Sequence, residues 1–308
     1  MRVRFRGQTR REGVLIEGPA GWGEFSPFPE YGPRECARWL ASALEAADRG
    51  WPAPVRASVP VNVTVPAVSP EKAHEIVRRS RCGTAKVKVA ERGQGFAEDV
   101  ARVEAVRDAI GPAGRVRVDA NGAWTPDEAV ARLKELNRFT LEYAEQPCAT
   151  LDELAEVRRR SDVPVAADES IRRAEDPLKV RASGAADIAV IKVQPLGGVR
   201  NALRVAEACG LPAVVSSAVE TSVGLAAGVA LAAALPALPY ACGLGTASLL
   251  DGDVVAAPLT EEEGALAVRR PEPDAAALGA FELDPGGPDA RAWLDRLRAA
   301  AEHLGVTR

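Results

Sequence analysis

RVRVDANGAW (residues 115–124), LEYAEQP (141–147) and PVAADES (164–170) decide the reading of this chain. Each is a short, largely apolar run that ends on an acid, Asp119, Glu145 or Asp168, just before turn residues. The acids lie 26 and 23 residues apart, about one strand–helix unit per step. One carboxylate therefore falls at the C-terminal end of each of three successive parallel strands, the end at which barrel enzymes build their sites. A lone acid after a strand is usually the N-cap of the next helix; three in consecutive units weigh against that explanation. Carboxylates gathered at one mouth need a cation to coexist, and all-oxygen ligation suits Mg²⁺, with Mn²⁺ as the alternative.

Lysines flank the three acids. Lys86 and Lys88, in TAKVKV (84–89), lie one strand earlier, and Lys192, closing DIAVIK (187–192), one strand later. Side chains alternate along a strand, so Lys86 and Lys88 share a face. Turned toward an outer helix layer they would be costly to bury; turned toward a barrel mouth they are tolerable. Only six of the 39 basic residues are Lys. Arg would serve for surface charge, whereas Lys is the residue whose pKa shifts enough to act as a base. The plain alternative at each position is a lysine snorkelling to the surface.

Working outward from these motifs, the chain alternates β-branched runs with amphipathic stretches from Val59 onward. Strands are expected at 59–65, 84–89, 115–119, 141–145, 164–168, 187–192, 213–217 and 239–242. Helix starts are signalled by Ser69-Pro70-Glu71, Thr125-Pro126-Asp127-Glu128 and Thr150-Leu151-Asp152-Glu153. Eight strands alternating with seven helices fit a barrel better than an open sheet. No GxGxxG follows the first strand, which weighs against dinucleotide binding. Residues 1–57 read as a small α+β segment with one helix, Cys36–Ala47. Residues 58–250 read as the barrel and 251–308 as a C-terminal segment with a final helix, Asp289–Leu304. The two ends are expected to pack together as a cap over the barrel mouth. Phe25, Ser26 and Pro27 sit among Gly21, Gly23 and Pro29 in a loop placed to close that mouth, or else in an ordinary surface turn.

Composition narrows the function classes. The 308 residues are 47% apolar with a net charge of −4, enough for a large core. Arg is scattered, so the chain has no nucleic-acid footprint. The five Cys are widely separated and odd in number, which fits reduced thiols in the cytoplasm. His74 and His303 are the two histidines, and both fall in helix-like charged stretches, so a His-based triad or zinc site is not expected. The first residues lack a signal-peptide core. The most apolar run, Val223–Leu235, is too short to span a bilayer and reads as a buried helix. No membrane partner is expected, and oligomeric state is not readable.

Taken in order, KVK, DANGAW, EQP, DES and IKVQPLGG resemble the enolase superfamily, muconate-lactonising subgroup. The likeness spans residues 84–198; SSAVETSVG (216–224) and CGLGTASLL (242–250) extend it to about 250, and GWGEFSP (21–27) is similar to that family's capping loop. The resemblance implies a modified (β/α)₇β barrel with an α+β capping domain, and Mg²⁺ held by Asp119, Glu145 and Asp168. It makes Lys88 and Lys192 the acid/base pair; a Lys base beside Mg²⁺ is the superfamily's general pattern, not an inference from spacing. Lys86, Ser217, Gly243, Asn121, Phe25 and Ser26 would contact substrate, a small-molecule carboxylate. Glu169, and Asn121 as well, would orient ligands and amines from behind.

Within the subgroup the chain is most similar to actinobacterial-type dehydratases of menaquinone biosynthesis, which implies a lyase that aromatises a cyclohexadiene carboxylate by syn loss of water. Gly243-Leu244-Gly245 stands where dipeptide epimerases carry an Asp-x-Asp pair, and muconate cycloisomerases usually have a longer cap. Two alternatives stay open. An N-acylamino-acid racemase would use the same metal and both lysines. A barrel that had lost catalysis and kept binding is disfavoured by the intact set of acids and lysines.

Overall fold

The computed structural model describes all residues except 4, 6, 173–178, 307 and 308, and not the side chain of residue 172. The chain opens with an antiparallel hairpin, β1 (Val14–Gly18) and β2 (Gly21–Phe25). Helix α1 (Pro33–Leu44) follows and widens into a π-helical turn over Glu45–Arg49. It starts three residues before the Cys36 expected from sequence. Pro33 sits in the first turn, where its missing N–H costs nothing.

Eight parallel strands then form the barrel: β3 (Ser58–Val65), β4 (Thr84–Lys88), β5 (Arg115–Asp119), β6 (Leu141–Glu145), β7 (Val165–Ala167), β8 (Ile188–Ile191), β9 (Ala213–Val215) and β10 (Cys242–Gly245). Their order is β10-β3-β4-β5-β6-β7-β8-β9. The ends of this row approach each other through a single parallel bridge, Ser216 to Gly243, so the barrel is nearly closed. Between the strands run α2 (Pro70–Ser80), α3 (Phe96–Ile110), α4 (Pro126–Leu136), α5 (Leu151–Arg160), the short α6 (Glu169–Arg172) and α7 (Lys179–Ala182), α8 (Val199–Cys209) and α9 (Ser222–Ala234). The start signals read from sequence operate as expected. Ser69 accepts from the Lys72 N–H, and Thr125/Glu128 and Thr150/Glu153 form reciprocal capping boxes. Residues 222–233 of α9 are all buried, the reason its sequence is apolar all round.

The last strand differs from expectation. Pro239, Tyr240 and Ala241 lie outside it, and it runs instead through Gly243 and Gly245. A Cβ at Gly245 would meet the Asn62 carbonyl at 2.7 Å, and one at Gly243 the Ser216 Oγ at 2.7 Å. Glycine here permits the close approach that closes the barrel, not a turn.

The C-terminal part adds β11 (Ala265–Ala267), antiparallel to β3, then α10 (Ala275–Phe281) and α11 (Pro288–Leu304). Helix α11 packs on α1. A second core forms there from Phe25, Phe28, Tyr31, Trp39, Leu40 and Ala300, with Trp293 and Leu297 against it. The two ends of the chain do meet as one layer beside the barrel. Ala218, from the barrel loop after β9, is inserted into this same core.

Candidate active site

The register of neighbouring strands builds the site. Lys88 on β4 pairs with Asp119 on β5, and Asp119 with Glu145 on β6. Three chemically active side chains thus share one level of the barrel interior. Lys86 lies two residues below on the same inward face, and Asp168 directly follows β7. Val87 and Val89 point the other way into the core beneath the helices; the lysines therefore face inward, as the cost of burying an amine against helices requires. Lys192 follows β8, four strands from β4, so it meets the cavity from the side opposite Lys88.

All six charged groups are buried, and they are arranged as ion pairs. The Lys86 Nζ donates to both Glu145 oxygens at 2.9 and 3.0 Å and lies 3.6 Å from Asp119 Oδ2. The Lys88 Nζ donates to Asp119 Oδ2 at 2.5 Å and to Asn121 Oδ1 at 2.7 Å. The Lys192 Nζ donates to Asp168 Oδ2 at 2.5 Å. Three carboxylates face three ammonium groups, so the cluster is neutral as it stands. Burial works against the Asp119 carboxylate, but Lys88 and Lys86 outweigh it and hold the group down at about 2. Glu145 is pushed up to about 7 by burial; Lys86 opposes the rise, and the Asp119 and Asp168 carboxylates add to it. Burial pulls the Lys86 ammonium down, and Glu145 and Asp119 more than reverse this, leaving it raised. The rise at Glu145 stands beside a short, two-oxygen contact with Lys86. Burial is the main cause of the rise, and the contact with Lys86 opposes it.

Among the described residues no group of three His, Cys, Asp or Glu side chains converges as a ready metal cage, because each acid is turned to its lysine. The donor chemistry nonetheless fits a hard dication: three buried carboxylates from adjacent strands, all oxygen, with no sulfur or imidazole.

The supporting residues are equally specific. Asn121, with φ at +49°, links Lys88 to Glu169 through its Nδ2 donating to Glu169 Oε1 at 3.1 Å. Gln146, with φ at +40°, was missed from sequence. Its Oε1 accepts from the Asp168 and Ser170 N–H groups (2.9 and 3.2 Å), fixing the end of β7 where Asp168 begins. The Gln-Pro pair after a strand was the available signal.

A narrow cavity opens onto this cluster; its void is about 20 Å³, room for little more than one water molecule as the side chains stand. Lys86, Lys88, Asp119, Asn121, Lys192, Ser217 and Gly243 all line it. Phe25 and Ser26 do not. Phe25 ends β2 wholly buried in the cap core, edge-on to Trp293 at 6.2 Å between ring centroids. The Ser26 Oγ is buried and donates to Glu24 at 2.6 Å. Strand alternation turned Phe25 away, and Phe28, three residues on, reaches the cavity instead. Phe5 lines it too, its ring centroid 5.2 Å from the Lys88 Nζ. Ser217 Oγ and Thr246 Oγ1, from the segments after β9 and β10, lie 2.7 Å apart.

Comparison with known proteins places this geometry. Residues 69–280 match the enolase C-terminal domain-like family and residues 1–47 the enolase N-terminal domain-like family. An o-succinylbenzoate synthase from Thermobifida fusca (strain YX) is 69% identical over 300 residues, covering 97% of this chain and 93% of the relative. One from Mycolicibacterium smegmatis is 56% identical over 97% of this chain and 92% of its own length. Among solved structures, muconate cycloisomerase from Pseudomonas fluorescens superposes with a TM-score of 0.74 at 22% identity, covering 88% of this chain and 97% of that one. That last likeness speaks for the fold alone.

Proposed function

The chain belongs to the enolase superfamily, and from that premise we propose that it works as an o-succinylbenzoate synthase, a hydro-lyase of menaquinone biosynthesis. The reaction converts 2-succinyl-6-hydroxy-2,4-cyclohexadiene-1-carboxylate to 2-succinylbenzoate by syn loss of water. The observation that carries this reading is 69% identity to such an enzyme over nearly the whole chain.

The geometry supports a division of labour. Lys88 takes the proton from the carbon α to the ring carboxylate. Asn121 and Asp119, both within 2.7 Å of its Nζ, aim the amine. The C–O bond on the same face then breaks, and the proton held by Lys88 leaves with the departing hydroxide as water. The ring thereby gains its third double bond. Lys192, across the barrel, remains cationic and stabilises the intervening anion through charge and the ring face. Lys86, Ser217 and Gly243 hold substrate carboxylates, while Glu169 steadies Asn121.

Asp119, Glu145 and Asp168 are the residues that would hold a divalent cation, Mg²⁺ or Mn²⁺, which when bound supplies Lewis-acid stabilisation of negative charge on the substrate carboxylate. Charge balance agrees with this assignment. With Lys88 neutral, as a base must be, three acids face two ammonium groups, and a dication offsets that excess of negative charge. The substrate is a small molecule and the site is cytoplasmic in this reading. Among the described residues no helix is long and apolar enough to cross a membrane.

Two opposed lysines also suit racemisation of N-succinyl amino acids, so the test compares both reactions. Purified protein with Mg²⁺ is given the cyclohexadiene and, separately, N-succinyl amino acids, and kcat/KM is measured for each. The dehydration is expected to dominate. Efficient exchange of solvent deuterium into the amino acid, with poor dehydration, would reassign the protein as a racemase.

A further inference from the structure

The loop after β9 carries Ala218 and Val219 into the cavity wall. Val219 has a φ of +62°. A β-branched residue is strained in that conformation and keeps it only where its surroundings impose it. Here they do so from both sides. Both Glu220 oxygens accept from the Ala218 N–H at 2.9 Å, so the side chain folds back over its own turn. The Val219 N–H donates to Ser217 Oγ at 3.2 Å. From the cap, the Arg11 Nε donates to the Val219 carbonyl at 3.1 Å, and its Nη2 donates to the Ser26 carbonyl at 2.7 Å. The same guanidinium lies 4.5 Å from the ring centroid of Phe28, which lines the cavity.

Glu24 completes the circuit. Buried on β2, it accepts from the Ser26 hydroxyl (2.6 Å), the Thr221 N–H (3.1 Å) and hydroxyl (2.5 Å), and the Gly224 N–H (3.0 Å). It thereby ties the cap to the first turn of α9. A Cβ on Gly224 would lie 2.7 Å from Glu220 Cβ and 2.8 Å from Glu24 Oε2, so the helix leaves room for both carboxylates side by side. The circuit Arg11–Ser26–Glu24–Thr221–Glu220–Val219 joins cap to barrel at a strained turn of the cavity wall.

We propose that Glu220 is a positioning residue for the reaction, holding the left-handed turn at Val219 so that the cavity wall fits the substrate, and that Arg11 and Glu24 make this hold depend on a docked cap. The proposal rests on the dehydration assigned above. It predicts an effect on substrate fit, not on proton transfer.

The test is a double-mutant cycle between Glu220→Gln and Val219→Gly. Glutamine keeps the size and one acceptor but not the two-oxygen grip. It is expected to raise KM about tenfold, the scale of releasing the turn's strain, with kcat within about threefold of wild type. Glycine adopts a positive φ without being forced. In the Val219→Gly background the same Glu220→Gln change should therefore raise KM by less than about threefold. Hydrogen exchange at the Ala218 amide, read on the intact protein, should quicken about tenfold in Glu220→Gln. Arg11→Gln, which removes the outer clamp at a half-buried position, should raise KM by about threefold if Glu220→Gln does not fold.

An equal KM penalty in both backgrounds would overturn the proposal, as would a fall in kcat alone, or unchanged KM with unchanged exchange. If the wild-type protein does not turn over the cyclohexadiene, the dehydratase reading fails. The exchange measurement still judges the turn on its own.

Discussion

Lys88 and Lys192 approach the cavity from opposite sides, each held by a carboxylate at 2.5 Å, yet the dehydration asks different things of them. Lys88 must give and take a proton, whereas Lys192 must only stay charged. Arg keeps the charge and does not release its proton. Lys192→Arg should therefore retain more dehydratase turnover than Lys88→Arg, whose loss should reach or exceed about 10⁴-fold. Equal collapse of both variants would point to two proton carriers, as in a racemase. The acids give a second test at this scale. EDTA should abolish activity, and Mg²⁺ should restore it. Asp119→Asn should be nearly inactive although folded, as circular dichroism would show; turnover near wild type would remove Asp119 from the metal site.

Among the elements, the cap hairpin and its continuation show how one residue of phase decides a role. Phe25, the last residue of β2, lies wholly within the cap core, while Phe28, beyond the strand, belongs to that core and also lines the cavity. Phe25→Ala should cost about 3–5 kcal/mol of stability, the range for emptying a buried aromatic site, with KM little changed. Phe28→Ala should also lower stability but, unlike Phe25→Ala, should raise KM several-fold, about the effect of losing one apolar wall contact. Denaturant unfolding and steady-state kinetics on the two variants separate these outcomes; a KM effect from Phe25→Ala alone would reverse the assignment. The sequence reading put Phe25 at the mouth, in a loop flanked by Gly and Pro. It could not show which aromatic turned inward, because the end of a two-residue-period strand is set by pairing with β1.

Across the whole molecule, the seam between cap and barrel stores an electrostatic cost. Glu220 is pushed up to about 7 by burial and by Glu24, against the Ala218 N–H and Arg11; Glu24 is raised chiefly by burial. The groups facing this pair are Arg11, Ser26 and Thr221, with Asp253 capping Ser222 beside them. A carboxyl raised in the folded state ionises more easily when unfolded. Its penalty is absent below the unfolded value near 4.5, grows as pH rises, and is complete above about 7. Replacing Glu220 by Gln removes the titration. The stability of Glu220→Gln relative to wild type should therefore improve between pH 4.5 and 7.5, by on the order of 2–3 kcal/mol. Urea unfolding at several pH values measures it, and a flat difference would show that Glu220 does not titrate in that window. Asp119, held low, acts in the opposite sense only near pH 2–4, outside the range of the experiment.

The sequence by itself determined the barrel, the strand–helix unit to which each acid and lysine belongs, and that Lys86 and Lys88 share one face. These features are local: alternation within a strand, capping boxes such as Thr125/Glu128, and acids recurring once per strand–helix unit repeat along the chain. The tertiary structure alone decided what depends on residues far apart in the chain. It paired each acid with a particular lysine and routed the last strand through Gly243 and Gly245, where close backbone approach leaves no room for a Cβ. It also set Glu24 against α9, some 200 residues away. Nothing near Glu24 or Glu220 in sequence marks either as buried, since burial of a charge depends on the surface that folds over it.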